Sequence, residues 1–176
     1  MTQTSALPQA ALDALAGASS PLTISGAPEG LDAFALAQAT LKRGGVTVFV
    51  ARDETRASGF DAAVKFFAKD LQTLRLPAWD SLPYDRISPA PAVAAQRCAA
   101  LAQLAQRKSS EGPLLVITTA GAIAQRVPPR TRIMEAAFAA HPGEQSSMEE
   151  LERYFVVNGY ARASTVRAPG DFAIRG

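Results

Sequence analysis

Residues 25–32 have the spacing of a phosphate-binding loop but lack the side chains that give such a loop its chemistry. A working loop, G-x-x-x-x-G-K-[ST], uses its lysine to reach the terminal phosphates and its hydroxyl to hold magnesium. In this frame the sequence has Ser25, Gly26 and Gly30, with Leu31 at the lysine position and Asp32 at the hydroxyl position. A carboxylate there repels a nucleotide phosphate but complements the positive end of a following helix. We therefore expect a degenerate nucleotide site without a bound cofactor, and a helix capped by its own side chains.

The other reactive residue types form no recognisable catalytic group. His141 is the only histidine and lies in a Pro-Gly turn without a neighbouring nucleophile, so we expect a surface residue. Cys98 is the only cysteine, and its alanine-rich surroundings predict a small packed side chain. Asp80 and Asp85 flank a Pro-Tyr pair, where acids more often fix turns than act in catalysis. The sequence thus predicts no catalytic residue and no metal site.

Composition indicates a globular protein of one or two domains. The chain has 176 residues, of which 48% are hydrophobic, and a formal net charge of +2 at pH 7. That charge is too small to favour nucleic-acid binding on electrostatics alone. A single cysteine is typical of a reducing compartment, no apolar run approaches the ~20 residues that cross a bilayer, and the N-terminus lacks a basic signal region. We therefore expect a cytoplasmic protein that contacts no membrane.

Helical and strand periodicities alternate through the first two thirds of the chain, a pattern typical of a parallel sheet covered by helices. The run at residues 46–50 (VTVFV) is almost wholly apolar and β-branched, which predicts a strand buried on both faces. The proline-rich loop at 78–91 is not predicted to be helical. The other predicted elements here are helices at 9–17, 29–43, 54–70, 93–107 and 120–126, and strands at 22–25, 73–77 and 114–118.

Composition changes near Pro129, where we predict a domain boundary. Beyond it, residues 132–138 predict an edge or antiparallel strand. A capping box at residues 146–150 predicts a helix that ends at Asn158-Gly159, followed by two short strands joined at Pro169-Gly170. The predicted domains are an N-terminal extension (1–20), an α/β domain with a degenerate nucleotide site (21–129) and the start of a small α+β domain (130–176).

The loop at residues 79–89 (WDSLPYDRISP) resembles a signature of the bacterial transcription-repair coupling factor family, Mfd. The match continues at 114–129 (LLVITTAGAIAQRVPP), at 158–160 (NGY) and at 169–176 (PGDFAIRG), in the same order. The resemblance extends over roughly residues 20–176. It implies the N-terminal module that is similar to the excision-repair protein UvrB, with a RecA/UvrB-like parallel-sheet fold of the P-loop kind followed by the start of the domain that contacts UvrA.

The resemblance implies a non-catalytic adaptor that recruits UvrA to stalled RNA polymerase during transcription-coupled nucleotide excision repair. UvrB keeps an intact GKT loop and a long hairpin that clamps damaged DNA. Only twelve residues separate Tyr84 from Arg97 here, and their prolines exclude such a hairpin. In the family, ATP and magnesium serve motor domains that translocate on double-stranded DNA, and none of those motifs occurs in these 176 residues.

The resemblance also places the partner contact in the small second domain. The arginine of the family motif corresponds to Arg175, and Arg167, Arg162 and Phe172 could extend the same face. Arginine suits a protein interface because its planar fork makes two directed bonds to a carboxylate while its stem packs.

Two functions of other classes stay open. One is a small-ligand-binding domain of the doubly wound type, whose site would lie at the carboxyl ends of the strands. The loops predicted there lack catalytic side chains. The other is direct DNA binding, which is supported only by a sequence pI of about 8.9 and would weaken steeply with salt.

Overall fold

The computed structural model describes residues 9–81, 84, 86–138, 140 and 142–175. These residues form two compact units that interleave along the chain. The first unit contains the described part of Met1–Ala78 together with Arg107–Gln125, and the second contains the described parts of Trp79–Gln106 and Arg126–Gly176. The domain ranges built on a boundary near Pro129 stay predictions.

Helices and short strands account for most of both units. No helix in the described ranges is long and apolar enough to cross a bilayer. The helices are α1 (Gln9–Gly17), α2 (Leu31–Arg43), α3 (Glu54–Phe67), α4 (Pro91–Gln106), α5 (Ala120–Ala124), α6 (Arg130–Ala136) and α7 (Met148–Val157); the strands are β1 (Val46–Ala51), β2 (Gln72–Leu76), β3 (Leu114–Thr119), β4 (Ala161–Arg162) and β5 (Asp171–Phe172).

A three-stranded parallel sheet of order β1-β3-β2 lies in the first unit. In its register Val48 and Leu74 both pair with Val116 of the central strand. All six residues of β3 are buried, as its apolar run predicts. The predicted combination of a parallel sheet with helices is therefore confirmed.

The core of the first unit lies between one face of this sheet and helices α2 and α3. Phe60 and Val64 of α3 and Leu115 and Ile117 of β3 are fully buried there. The Phe60 ring also stacks on the Phe49 ring, with centroids 3.5 Å apart. Helix α2 buries mainly its alanines, whereas Leu41 on the same helix is exposed.

Two strand predictions in this unit are wrong. Residues 22–25 form no strand, and both Leu22 and Ile24 are exposed. A strand needs a hydrogen-bonded neighbour, and among the described residues the parallel sheet has the three strands named above. The run at 46–50 does form β1, but the prediction of burial on both faces is wrong, because the face that carries Val46, Val48 and Val50 is exposed.

In the second unit α4 packs against α6. The strand predicted at 132–138 is wrong, because residues 130–136 form α6. Pro129 begins this helix with a fixed φ, and its carbonyl accepts the Ile133 amide at 3.2 Å. Helix α7 is confirmed, but Ser147 at its N-cap makes no side-chain capping bond. The two predicted C-terminal strands are present as β4 and β5, and they pair in parallel.

Candidate functional site

In the segment at residues 25–32, where the sequence predicts a degenerate phosphate loop, the backbone amides bind a carboxylate of the chain itself. Ser25 and Gly26 lie in the irregular segment before α2, and Gly30 turns the chain into the helix with a φ of 92°. One oxygen of Asp32, Oδ1, accepts the Gly30 and Ala33 amides at 3.2 and 2.9 Å. Backbone amides at this place are the groups that cradle phosphate in a working loop. In this chain two of them are satisfied by an acidic side chain of the helix itself.

Arg56 of α3 neutralises this acid. Its guanidinium forms an ion pair with Asp32 Oδ2, and most of the Arg56 side chain is shielded from solvent. The same guanidinium lies 5.7 Å from the ring centroids of Phe49 and Phe60. The sequence predicted the acid but not this partner, because 24 residues separate the two and only the packing of α3 against α2 brings them together.

The residues of the signature loop have structural contacts in the second unit. The ring of Trp79 lies 5.3 Å from the guanidinium carbon of buried Arg97, and burial lowers the pKa of that arginine. The carboxylate of Asp80 accepts the Ala90 amide, with both oxygens within 3.2 Å, just before α4 begins. This contact ties Asp80 to the residue before α4, and the turn-fixing role expected for Asp80 stays a prediction. Asp85 lies outside the described residues.

Three arginines mark the C-terminal segment that contains β4 and β5. Arg162 lies on β4 and makes a 3.0 Å ion pair with Glu152 of α7. Arg167 and Arg175 have exposed side chains. A turn between the strands is held by Asp171, whose Oδ2 accepts the amides of residues 167 and 168 at 3.1 Å each. The segment therefore presents positive charge to solvent on a hydrogen-bonded frame.

Phe172 lies beneath this surface. Only 6% of it is exposed, and its ring stacks on Phe155 of α7 with centroids 5.1 Å apart. Tyr160 and Tyr154 also pack on Phe155, and Phe138 packs on Tyr154. Burial raises the pKa of the Tyr154 hydroxyl, which donates to a backbone carbonyl at 2.8 Å. Phe172 can thus support the arginine face from inside, but its ring is not available to a partner.

One cavity in the first unit is relevant to the alternative function of small-ligand binding. It measures about 240 Å³ and is lined mostly by apolar side chains from the segment around α1, from α2 and from β1. Thr47, its contact from the sheet, is the second residue of β1 and lies at the amino end of that strand. Ligands of doubly wound domains bind at the opposite, carboxyl, end of the strands. The position of this cavity therefore does not favour that alternative.

The other reactive residue types that the sequence singles out are Cys98 and His141. Cys98 is exposed on α4, so the prediction of a packed side chain is wrong. Alanines on a helix predict burial only when their face meets another element, and position 98 lies outside that face. His141 falls outside the described residues. Among the residues that the structure describes, no group of three or more His, Cys, Asp or Glu side chains could hold a metal ion.

Curated bacterial proteins named transcription-repair-coupling factor are similar to this chain. The Myxococcus xanthus protein is 33% identical over 135 residues, which are 73% of this chain and 11% of that protein. The Rickettsia bellii protein is 28% identical over 129 residues, 73% of this chain and 11% of its own length. The Escherichia coli protein is 26% identical over 141 residues, 80% of this chain and 12% of its own length. The chain thus spans about a tenth of the length of these relatives. No protein-family model matches it.

Proposed function

We propose that this chain is a non-catalytic adaptor module of a transcription-repair coupling factor. The observation that carries the proposal is the similarity, over about three quarters of the chain, to bacterial proteins of that name. The name describes a protein that connects transcription to repair. The module contributes by docking the repair protein UvrA, so that UvrA arrives where RNA polymerase has stalled on damaged DNA.

The proposed module has a P-loop-like ancestry without P-loop chemistry. Asp32 and Arg56 satisfy each other at the start of α2, where a nucleotide phosphate would otherwise bind. A phosphate that approaches this turn meets a carboxylate already bound to two amides, and Coulomb repulsion opposes its entry. ATP and magnesium belong, in this proposal, to motor domains elsewhere in the full-length protein, which move it along duplex DNA and against RNA polymerase.

The docking surface of the module is the arginine face formed by Arg162, Arg167 and Arg175. Guanidinium groups recognise carboxylates through paired, directed hydrogen bonds, so this face fits an acidic surface of UvrA. Arg175 is the central contact, because it occupies the arginine position of the family motif. Arg162 already forms an ion pair with Glu152 of the same chain. A carboxylate of UvrA would have to displace Glu152 or share the guanidinium with it.

Charge reversal at Arg175 tests this function. Arg175→Glu is expected to weaken the binding of UvrA to the 176-residue chain by at least about 2 kcal/mol, or about thirtyfold, as for a central interface contact. Arg126→Glu is the matched control, since it makes the same charge change at another exposed arginine of the second unit. Biolayer interferometry with immobilised UvrA provides the affinities.

Two results would contradict the proposal. Wild-type chain that fails to bind UvrA at micromolar concentration would remove the adaptor function. Equal affinities for wild type and Arg175→Glu would remove Arg175 from the surface. A parallel titration with duplex DNA at 50 and 200 mM salt tests the alternative function, since true phosphate contacts weaken steeply over that interval.

A further inference from the structure

Helix α1 buries less apolar surface in the first unit than α3 does. Among the described side chains of α1, only Leu12 is buried, with 8% of it exposed, whereas Leu15 and Ala16 are half-buried. Helix α3 buries Phe60 and Val64 completely. Because hydrophobic stabilisation scales with the apolar area removed from water, packing stabilises α1 much less than it stabilises α3.

The helix itself adds little stability. It has nine residues, and isolated helices shorter than about 12 residues are marginal in water. Its first turn contains no acidic residue and its last turn no basic residue, so no side chain there offsets the helix dipole. Asp13 forms an ion pair with Lys42 of α2 at 2.6 Å, but both side chains are exposed, and exposed pairs contribute little to stability.

A cavity lies where α1 packs against α2. It measures about 240 Å³, and its lining includes Leu15 and Ala16 of α1, Leu36 and Ala39 of α2 and Thr47 of β1. Protein interiors are otherwise close-packed, and side chains that border a void lose the van der Waals contacts that a neighbour would make. The packing of α1 on α2 is therefore incomplete.

The segment after α1 has the properties of a hinge. Gly17 ends the helix, and the small residues Ala18, Ser19 and Ser20 follow it. Residues 18–25 belong to no helix or strand and are exposed throughout. Hinges are short segments of this kind, whose backbone absorbs a large change in φ and ψ. A backbone rotation here would move α1 without any change in α2.

We propose that α1 is a hinged cover, loosely packed because of the cavity at its contact with α2, which opens by local unfolding while the sheet, α2 and α3 stay folded. When α1 is open, Leu36 and Ala39 of α2 face solvent, and when it is closed, α1 covers them. Elements with few buried contacts open at a lower free energy than the whole domain. The inference concerns the first unit and does not depend on the proposed docking function.

Amide hydrogen exchange in the 176-residue chain, followed by NMR, tests the cover. The informative α1 amides are those of residues 13–17, because the first four amides of a helix have no partner within it. Relative to unstructured chain, they are expected to be protected at least about fivefold, yet to be at least about 100-fold less protected than the α3 amides of Phe60 and Val64. Urea at about 1 M should accelerate the α3 amides at least about fivefold and the α1 amides less than about twofold, since local opening exposes little surface.

A cavity-filling variant, Ala16→Leu, tests whether loose packing causes the opening. The larger side chain fills space in the cavity and buries more apolar area, so the α1 amides should exchange about tenfold more slowly. Ala14→Leu is the matched control, because Ala14 is exposed on the same helix and is not part of the cavity lining. Its exchange rates should stay within about threefold of wild type.

Three results would overturn the inference. If the α1 amides exchange as slowly as those of α3, with the same dependence on urea, α1 belongs to the cooperative core and is not a cover. If the α1 amides show no protection, the helix does not cover the unit. If Ala16→Leu and Ala14→Leu exchange at equal rates, the cavity is not the cause of the opening.

Discussion

At the scale of single residues, Asp32 pairs with Arg56 at the start of α2, where the sequence predicts a degenerate phosphate loop. The Asp32 carboxylate accepts a backbone amide at the start of α2. The Arg56 guanidinium pairs with that carboxylate and lies over the rings of Phe49 and Phe60. A motif scan identifies the acid as a departure from the loop pattern. It cannot identify Arg56, because the contact depends on how α2 and α3 pack and not on spacing along the chain.

Asp32→Asn is expected to lower the free energy of unfolding by about 1 kcal/mol. Asparagine keeps an acceptor for the amides but loses the charge that favours the helix N-terminus and pairs with Arg56. Urea denaturation measures the change. In the control Asp13→Asn, the lost partner is Lys42 in a solvent-exposed pair, so the change should stay below about 0.5 kcal/mol. Equal losses in both variants would contradict the role given to Asp32.

A second residue-scale prediction concerns pH and Asp53, the N-cap of α3. The Arg56 amide donates to its carboxylate at 2.7 Å, and this bond is the main cause that lowers the pKa of Asp53 below its ordinary 3.8. Near and below this ordinary pKa, the Asp53 carboxylate therefore binds fewer protons in the folded state than in the unfolded state. The stabilisation by ionised Asp53 is present above the unfolded pKa and is lost as pH falls through the lower, folded pKa.

Asp53→Asn isolates that titration, because asparagine is also a good N-cap but does not ionise. The melting temperature of wild type minus that of the variant should be largest above about pH 5 and should shrink below the ordinary pKa of the carboxyl. Differential scanning calorimetry across pH 2.5–6, about the range where carboxyls titrate, measures the difference. A difference that does not vary with pH would contradict the assignment.

At the scale of elements, the sequence predicts the main helices and strands of the first unit, and it fails where partners decide the outcome. The run at 46–50 has the composition of a central strand and forms an edge strand, since only β3 pairs with it. Leu22 and Ile24 lie in a segment whose composition predicts a strand, but this segment pairs with none of the described strands. Residues 132–136 of the strand predicted at 132–138 belong to a helix instead, and the proline before them lies at its start.

The signature loop gives an element-scale prediction, because its start is held by the contact of Trp79 with buried Arg97. Trp79→Ala removes a large ring and leaves a buried cation without that contact, so it should cost about 3 kcal/mol of unfolding free energy. Amide exchange at Ala90 should also accelerate. Tyr84→Ala, at a residue 96% exposed in the same loop, should change stability by less than about 0.5 kcal/mol. Similar losses in the two variants would contradict the anchoring role of Trp79.

At the scale of the whole molecule, the first unit contains the ion pair of Asp32 with Arg56, and the second unit contains the exposed Arg167 and Arg175. The altered loop and the family motif are visible in the sequence, and the roles given to them stay predictions. The sequence could not show that Phe172 is buried, because the exposed or buried side of a two-residue strand depends on the helix that covers it, here α7. The partner role given to Phe172 stays a prediction.

The most direct test of the central claim is a calorimetric titration of ATP with magnesium into the 176-residue chain. With Asp32 already bound to two amides and to Arg56, the account predicts only heats of dilution and no saturable binding up to millimolar nucleotide. Saturable binding with one nucleotide per chain, abolished by a substitution in residues 25–32, would contradict the claim that this module is an adaptor without nucleotide chemistry.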